Sequence, residues 1–226
     1  MCQILQKFAP ITLAGAGSLD PSDLSAALEL GPTLVAADGG AAHCLSAGHM
    51  PEVVIGDLDS LPKNMRESIP PEQLIFVSEQ DSTDFVKALR HISAPLVLAV
   101  GFTGARVDHE LACYNALVRH AGRRCVIIGE SDVVCMLPPK LSLPLAAGTR
   151  VSLFPMRAVQ GRSEGLKWPI DGIGFAPDGM VGTSNEATGA VQLEVEAPGM
   201  LLILPKAHLG LLVSQLLATP EGWPAP

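Results

Sequence analysis

From residue 10 to about residue 135, short runs that are apolar throughout alternate with stretches whose apolar residues recur at helical spacing. "PITLAGAG" (10–17), "TLVAAD" (33–38), "EVVIGD" (52–57), "LIFV" (74–77), "PLVLAV" (95–100) and "CVIIG" (125–129) read as strands. Residues 20–30, which open with a capping residue and Pro21, read as a helix, as do 83–92 and 107–121. Strands without a polar face, separated by helices, predict an α/β domain whose mostly parallel sheet is covered on both sides. After about residue 138 the period changes. In "AVQLEVEA" (190–197), Val191, Leu193 and Val195 face one way and Gln192, Glu194 and Glu196 the other. That alternation, with "TRVSLFP" (149–155) and frequent Gly and Pro, predicts a second domain of antiparallel strands from 139 to 226. "PPKLSLP" is then the joint between 1–138 and 139–226, and the tail "TPEGWPAP" is expected to fray.

Composition narrows the partners. A chain of 226 residues, 48% hydrophobic and 17% charged, is long enough for a real core. Its net charge of −8 argues against nucleic acid, but leaves open a phosphorylated small molecule carried by a divalent cation. No apolar run approaches the roughly 18 residues that span a bilayer, and the first residues lack a signal-peptide pattern. Cys2, Cys44, Cys113, Cys125 and Cys135 are scattered and odd in number, which suits free thiols in a reducing cytoplasm.

The acids of the first domain fall at the ends of its strands. Asp38 ends one strand before Gly39 and Gly40; Asp57 and Asp59 end another; Asp81 and Asp84 stand at the start of the 83–92 helix; Asp108 follows "GFTGAR". In a parallel sheet these strand ends share one edge, where ligands bind. If 57–59 is extended, Asp57 and Asp59 leave the same face with Cα atoms about 6–7 Å apart, within reach of one cation. Clustered carboxylates need a compensating charge, and Mg²⁺, a hard ion that pairs with carboxylates and phosphates, suits them better than zinc. The glycines after Asp38 would admit a phosphate to backbone amides, and Arg106 and Lys87 are candidate counter-charges for phosphate oxygens. Plainer readings stand beside these. Asp38 suits a turn, Asp81 and Asp84 suit a helix cap and first turn, and Arg106, Asp108 and His109 suit a surface ion-pair cluster. The chain has no phosphate-binding G-x-x-x-x-G-K-[ST] loop, no full G-x-G-x-x-G and no G-x-S-x-G.

In order along the chain, "ADGGAAHCL", "PEVVIGDLDSL", "QDSTDFVKAL", "GFTGARVDHELACYNAL", "VSLFP", "GLKWPI" and "TSNEATG" resemble the thiamin pyrophosphokinase family. The resemblance implies a Rossmann-like α/β catalytic domain that binds Mg²⁺ and ATP, and a C-terminal β-sandwich that binds thiamin. It implies a homodimer with sites formed between subunits, and transfer of the diphosphate of ATP to the hydroxyl of thiamin, giving thiamin diphosphate and AMP. On the same basis Asp38, Asp57, Asp59 and Asp84 would hold the metal, and Asp57, Asp59, Asp84, Arg106 and Asp108 would carry catalysis. Gly39, Gly40, Gly56, Ser60, Gln80, Asp81, Thr83, Lys87, Arg106 and His109 would line the ATP side with Asp38, Gly56 giving the phosphates room. Trp168, Thr183, Ser184 and Asn185 would meet thiamin. Family members often carry an aromatic residue two positions after the Asn of "TSN"; here it is Ala187, which leaves stacking on thiamin to Trp168 unless Trp168 belongs to the core. Residues 207–226 look like an extension past the usual family end. Two other readings compete: a Mg²⁺-dependent nucleotide-sugar transferase, from the D-x-D pattern, and a non-catalytic thiamin or nucleotide sensor, from Ala187.

Overall fold

The computed structural model describes residues 4–79, 81–220 and 222–224. In chain order its elements are β1 (Leu5–Gln6), β2 (Ile11–Ala14), α1 (Pro21–Leu30), β3 (Thr33–Ala37), α2 (Gly40–Ser46), β4 (Val53–Gly56), α3 (Lys63–Arg66), β5 (Leu74–Phe76), α4 (Asp84–His91), β6 (Ile92–Ser93), β7 (Val97–Val100), α5 (Val107–Arg119) and β8 (Cys125–Ile128). Then follow β9 (Asp132–Met136), β10 (Lys140–Leu143), β11 (Arg150–Pro155), β12 (Gly161–Leu166), β13 (Gly182–Val195), β14 (Met200–Pro205) and α6 (Leu209–Ala218). The chain is mixed α/β and divides into two compact units. One runs to Ala116 and takes in Ile127–Glu130; the other comprises Leu117–Val126 and the chain from Ser131 on.

In the first unit β2 pairs with β7, β3 with β4, and β4 with β5, all parallel. Every residue of β2, β4 and β7 is buried, which is why their sequences show no alternation. α1 begins as expected: Asp20 caps it by accepting from the Ser22 amide at 2.8 Å, and Pro21 is the first helical residue. α2 lies so close to the end of β2 that a Cβ on Gly40 would come within 2.2 Å of the Ala14 carbonyl oxygen, so only glycine fits there. The carboxyl ends of β3 and β4 therefore carry Asp38 and Asp57 to the same edge.

The second unit is antiparallel. β14 pairs with β9 and β11; β13 pairs with β11, β10 and β12. β13 serves two neighbours in turn: Gly182, Asn185 and Glu186 face β11, and residues 191–194 face β10. Val191, Leu193 and Val195 are buried while Gln192, Glu194 and Glu196 are exposed, as the period of two predicts.

Two expectations fail here. "PPKLSLP" is not a linker: it contains β10, whose Leu141 and Leu143 are buried against β13 while Lys140 and Ser142 face out. The flanking prolines masked a short alternation. Nor does the tail fray over its described part. α6 buries Leu209, Leu212, Val213 and Leu216. Arg124 donates to the Leu216 and Thr219 carbonyls at the end of that helix (2.7 and 2.6 Å), and the Trp223 indole N–H donates to the Leu137 carbonyl at 2.8 Å. The two Arg124 bonds satisfy carbonyls that a helix end leaves without partners. Among the described residues no helix is long and apolar enough to cross a membrane.

Candidate functional site

Asp38 follows β3 in a left-handed conformation, φ +43°. Its amide donates to the Ile55 carbonyl at 3.0 Å, and its Oδ2 accepts from the Ser60 amide at 3.3 Å. Its Oδ1 is buried and has no hydrogen-bond partner among the described residues. Burial pushes the Asp38 carboxyl above the usual range, and the charges of Asp84 and Asp57 add to this against the opposing Ser60 bonds. A buried carboxylate with an unpartnered oxygen is costly unless something cationic meets it. At Gly56 a Cβ would lie 2.8 Å from the Cβ of Asp38, so the glycine makes room for Asp38.

Asp57 and Asp59 are not two residues of an extended strand. β4 ends at Gly56, and Leu58 between them is left-handed, φ +60°, with its side chain buried. A branched residue enters that region only under constraint; here the buried side chain pins a tight turn. The turn brings one oxygen each of Asp38, Asp57 and Asp59 to within 4.8 Å of one another. Ser60 Oγ donates to Asp59 Oδ1 at 2.9 Å. Three hard oxygen donors, one of them buried and unpartnered, fit a divalent cation such as Mg²⁺.

Asp84 opens α4, whose cap is Thr83: its hydroxyl accepts from the Val86 amide at 3.4 Å. Asp81, which the sequence offered as the cap, is exposed instead. Gln80 lies outside the described residues. Asp84 stands apart from the metal-suited trio and is joined to it through Lys87. The Lys87 ammonium donates to Asp84 Oδ1 at 3.0 Å and to Asp57 Oδ2 at 3.1 Å. These bonds hold Asp57 below the usual carboxylate range. For Lys87 burial pulls downward, but the two carboxylates outweigh it and its pKa is raised. The side chain expected to meet phosphates is thus spent on two acids.

A cavity of about 240 Å³ is lined by Ala16, Gly17, Asp38, Gly39, Ser60, Thr83, Asp84, Phe85, Phe102, Thr103, Arg106, His109 and Cys113 among others. Its lining brings together site residues predicted from four separate stretches; Gly40, Gly56 and Lys87 are not part of that lining. Arg106 holds Asp108 in a forked pair, Nε to Oδ1 at 3.1 Å and Nη2 to Oδ2 at 2.6 Å, with both side chains 66% exposed. The surface-pair reading is therefore what this structure displays, and the guanidinium still borders the cavity. The pairing lowers the Asp108 pKa and raises that of Arg106. Residue-type reasoning missed Phe102 and Thr103, apolar and neutral residues with no chemical signal. Their loop turns on Gly101 and Gly104, both at positive φ, and Phe102 packs on Phe85 at 4.6 Å between ring centroids.

In the second unit Trp168 is 55% exposed and so is not core. Asn185 is buried: its Nδ2 donates to the Trp168 carbonyl at 2.7 Å, and its Oδ1 accepts from the amides of Trp168 (3.2 Å) and Glu186 (2.8 Å). The Lys167 ammonium stands 4.9 Å from the centre of the Trp168 ring and 3.5 Å from Glu186. Thr183 and Ser184 are exposed, and Ser184 is left-handed at φ +60° with its amide on Ser152 Oγ at 3.0 Å. Ala187 is 1% exposed and paired with Leu166. Its side chain faces inward.

An acid-lined, cation-suited cavity thus lies at the carboxyl ends of parallel strands in an α/β protein, the place where such sheets bind ligands. Residues 25–128 match the family model described as thiamin pyrophosphokinase, catalytic domain, and residues 140–200 match the thiamin pyrophosphokinase vitamin B1 binding domain. The chain belongs to the thiamin pyrophosphokinase family. Thiamine pyrophosphokinase 1 of Oryza sativa subsp. japonica is 27% identical over 156 residues, 61% of this chain and 59% of that protein. Thiamine pyrophosphokinase 1 of Arabidopsis thaliana is 24% identical over 156 residues, 61% of this chain and 58% of its own. The match thus spans less than two thirds of these relatives' length. The fold is that of solved thiamin pyrophosphokinases. The Bacillus subtilis structure has a TM-score of 0.71 at 22% identity, over 87% of this chain and 98% of that one. The Candida albicans structure has a TM-score of 0.74 at 15% identity, over 90% and 93%.

Proposed function

We propose that the protein transfers the diphosphate of ATP to the hydroxyl of thiamin, yielding thiamin diphosphate and AMP. The observation that carries this reading is the convergence of Asp38, Asp57 and Asp59 within 4.8 Å, with Asp38 shared by the cavity that Asp84 and Arg106 border. Asp38, Asp57 and Asp59 would hold Mg²⁺ with Asp84 near by, and the ion would supply positive charge to neutralise phosphate oxygens. Arg106 would exchange Asp108 for a phosphate oxygen, which its exposure permits and its forked geometry favours. His109, Ser60, Thr83 and the Gly39 backbone lie on the same wall and would orient the triphosphate for in-line attack. On the thiamin side, Trp168 offers an exposed ring suited to a cationic aromatic substrate, and Thr183, Ser184 and Asn185 flank or support it. The finer fold reading goes with this one: a Rossmann-like parallel sheet for 1–138 and a β-sandwich for 139–226, assembled as a homodimer. The buried cysteines Cys44, Cys113, Cys125 and Cys135 form no disulfide, which fits a reducing cytoplasm.

Incubation with ATP, Mg²⁺ and thiamin should yield AMP and thiamin diphosphate in equal amounts. ADP as the product, or no AMP, refutes the reading. A nucleotide-sugar transferase has only the D-x-D pattern in its favour, and a non-catalytic sensor only the absence of an aromatic residue at Ala187.

A further inference from the structure

Lys87 occupies an unusual place. It is 3% exposed, projects from α4, and spends its ammonium on Asp84 Oδ1 at 3.0 Å and Asp57 Oδ2 at 3.1 Å. It does not line the cavity, whereas Asp84 does. Asp57 belongs to the metal-suited trio, while Asp84 does not. The lysine is therefore a strut between two parts of the site: the trio beyond β4 and the cavity wall at the start of α4. Resting on the function proposed above, we propose that Lys87 is a positioning residue. It fixes the Asp57 carboxylate that completes the cation-binding trio, and it touches neither metal nor phosphate.

Two effects act together. Four acids crowd this edge of the sheet, and without a resident positive charge they repel one another whenever no metal is bound. A buried ammonium supplies that charge permanently and holds the trio assembled for the ion. Second, by fixing one oxygen of Asp57 it fixes the plane of the whole carboxylate. Groups that orient a ligating side chain in this way commonly contribute about 10- to 100-fold to metal affinity. A phosphate contact would need this buried side chain, which is absent from the cavity lining, to become accessible and would strain its two charge-assisted bonds.

The test is Mn²⁺ binding to the full chain, followed by electron paramagnetic resonance without ATP or thiamin, with ATP binding in EDTA measured separately. Lys87→Met should weaken Mn²⁺ binding about 10- to 100-fold and leave metal-free ATP binding unchanged. Lys87→Arg, which keeps the charge, should recover most of the Mn²⁺ affinity. Unchanged Mn²⁺ binding with weakened ATP binding makes Lys87 a phosphate ligand and overturns the proposal. Tighter Mn²⁺ binding makes it a competing charge and overturns it too. If Lys87→Met does not fold, Asp84→Asn/Lys87→Met is compared with Asp84→Asn alone; equal Mn²⁺ affinity in that pair also overturns it. A wild-type protein that binds Mn²⁺ but forms no AMP removes the functional reading and leaves the comparison of variants intact.

Discussion

Asn185 holds Trp168 by both of that residue's backbone polar groups, donating to its carbonyl at 2.7 Å and accepting from its amide at 3.2 Å. A side-chain amide here does what a neighbouring strand would do, and it fixes the backbone from which an exposed indole projects. Asn185→Ala leaves the Trp168 amide and carbonyl and the Glu186 amide without this partner. The expected cost is about 1–3 kcal/mol in urea unfolding, with KM for thiamin rising more than kcat falls. Stability equal to wild type would show that the clamp is dispensable.

Asp57→Asn and Asp59→Asn separate chemistry from folding. Asp59 is exposed, so its replacement should change stability by less than about 0.5 kcal/mol. Either change removes a charged oxygen from the trio and should lower AMP formation by two or more orders of magnitude. Full turnover in both variants would discard the metal assignment.

Gly56→Ala tests the backbone beneath the site. The added methyl meets the Asp38 side chain at 2.8 Å, and one of the two must move. The expected cost is about 1–3 kcal/mol, accompanied by weaker Mn²⁺ binding. A variant that loses stability but keeps its Mn²⁺ affinity would show that Asp38 adapts.

Burial pushes the thiols of Cys44, Cys113 and Cys135 up to about 12 from an ordinary 9.0. Between those values the unfolded chain binds fewer protons than the folded one, so stability falls as pH rises. It is fully present below the ordinary value. The urea midpoint should therefore drop from about pH 8 to about pH 10, and iodoacetamide should label these cysteines at pH 8 only after denaturation. Rapid labelling of the native protein would contradict their burial.

Arg124 ties the end of α6 through the Leu216 and Thr219 carbonyls. Arg124→Ala should cost about 1.5–3 kcal/mol, as for hydrogen bonds from a charged donor. In a Trp168→Phe background Trp223 is the remaining tryptophan. Its emission should shift to the red if the tail leaves Leu137, and an unmoved spectrum in Arg124→Ala would show that the tail docks independently of the helix end.

The parts of this molecule legible in the sequence are those governed by period and by chemical type. β2, β3, β4 and β7 could be read because residues buried on both faces leave an unbroken apolar run, and β13 because its outer face is polar. The acids Asp38, Asp57, Asp59 and Asp84 could be read because carboxylates at strand ends are conspicuous. What stayed hidden depends on three-dimensional neighbours. Nothing local announces that Leu58 is left-handed, that Lys87 is buried between two acids, or that Ala187 points inward. β10 was hidden between prolines, and the docked tail looked like loose Pro- and Gly-rich chain because its anchors, Arg124 and Leu137, are distant in sequence.

Leu58 gives the two acids around it a common fate. With its side chain sunk in the interior and its backbone in a region that branched residues avoid, the turn has few alternative shapes to visit. Asp57 and Asp59 are thereby made a single rigid unit rather than two independent ligands. Anyone transplanting this turn to another scaffold would have to carry the apolar socket as well as the carboxylates, since the spacing of the acids is set by the buried Leu58 between them.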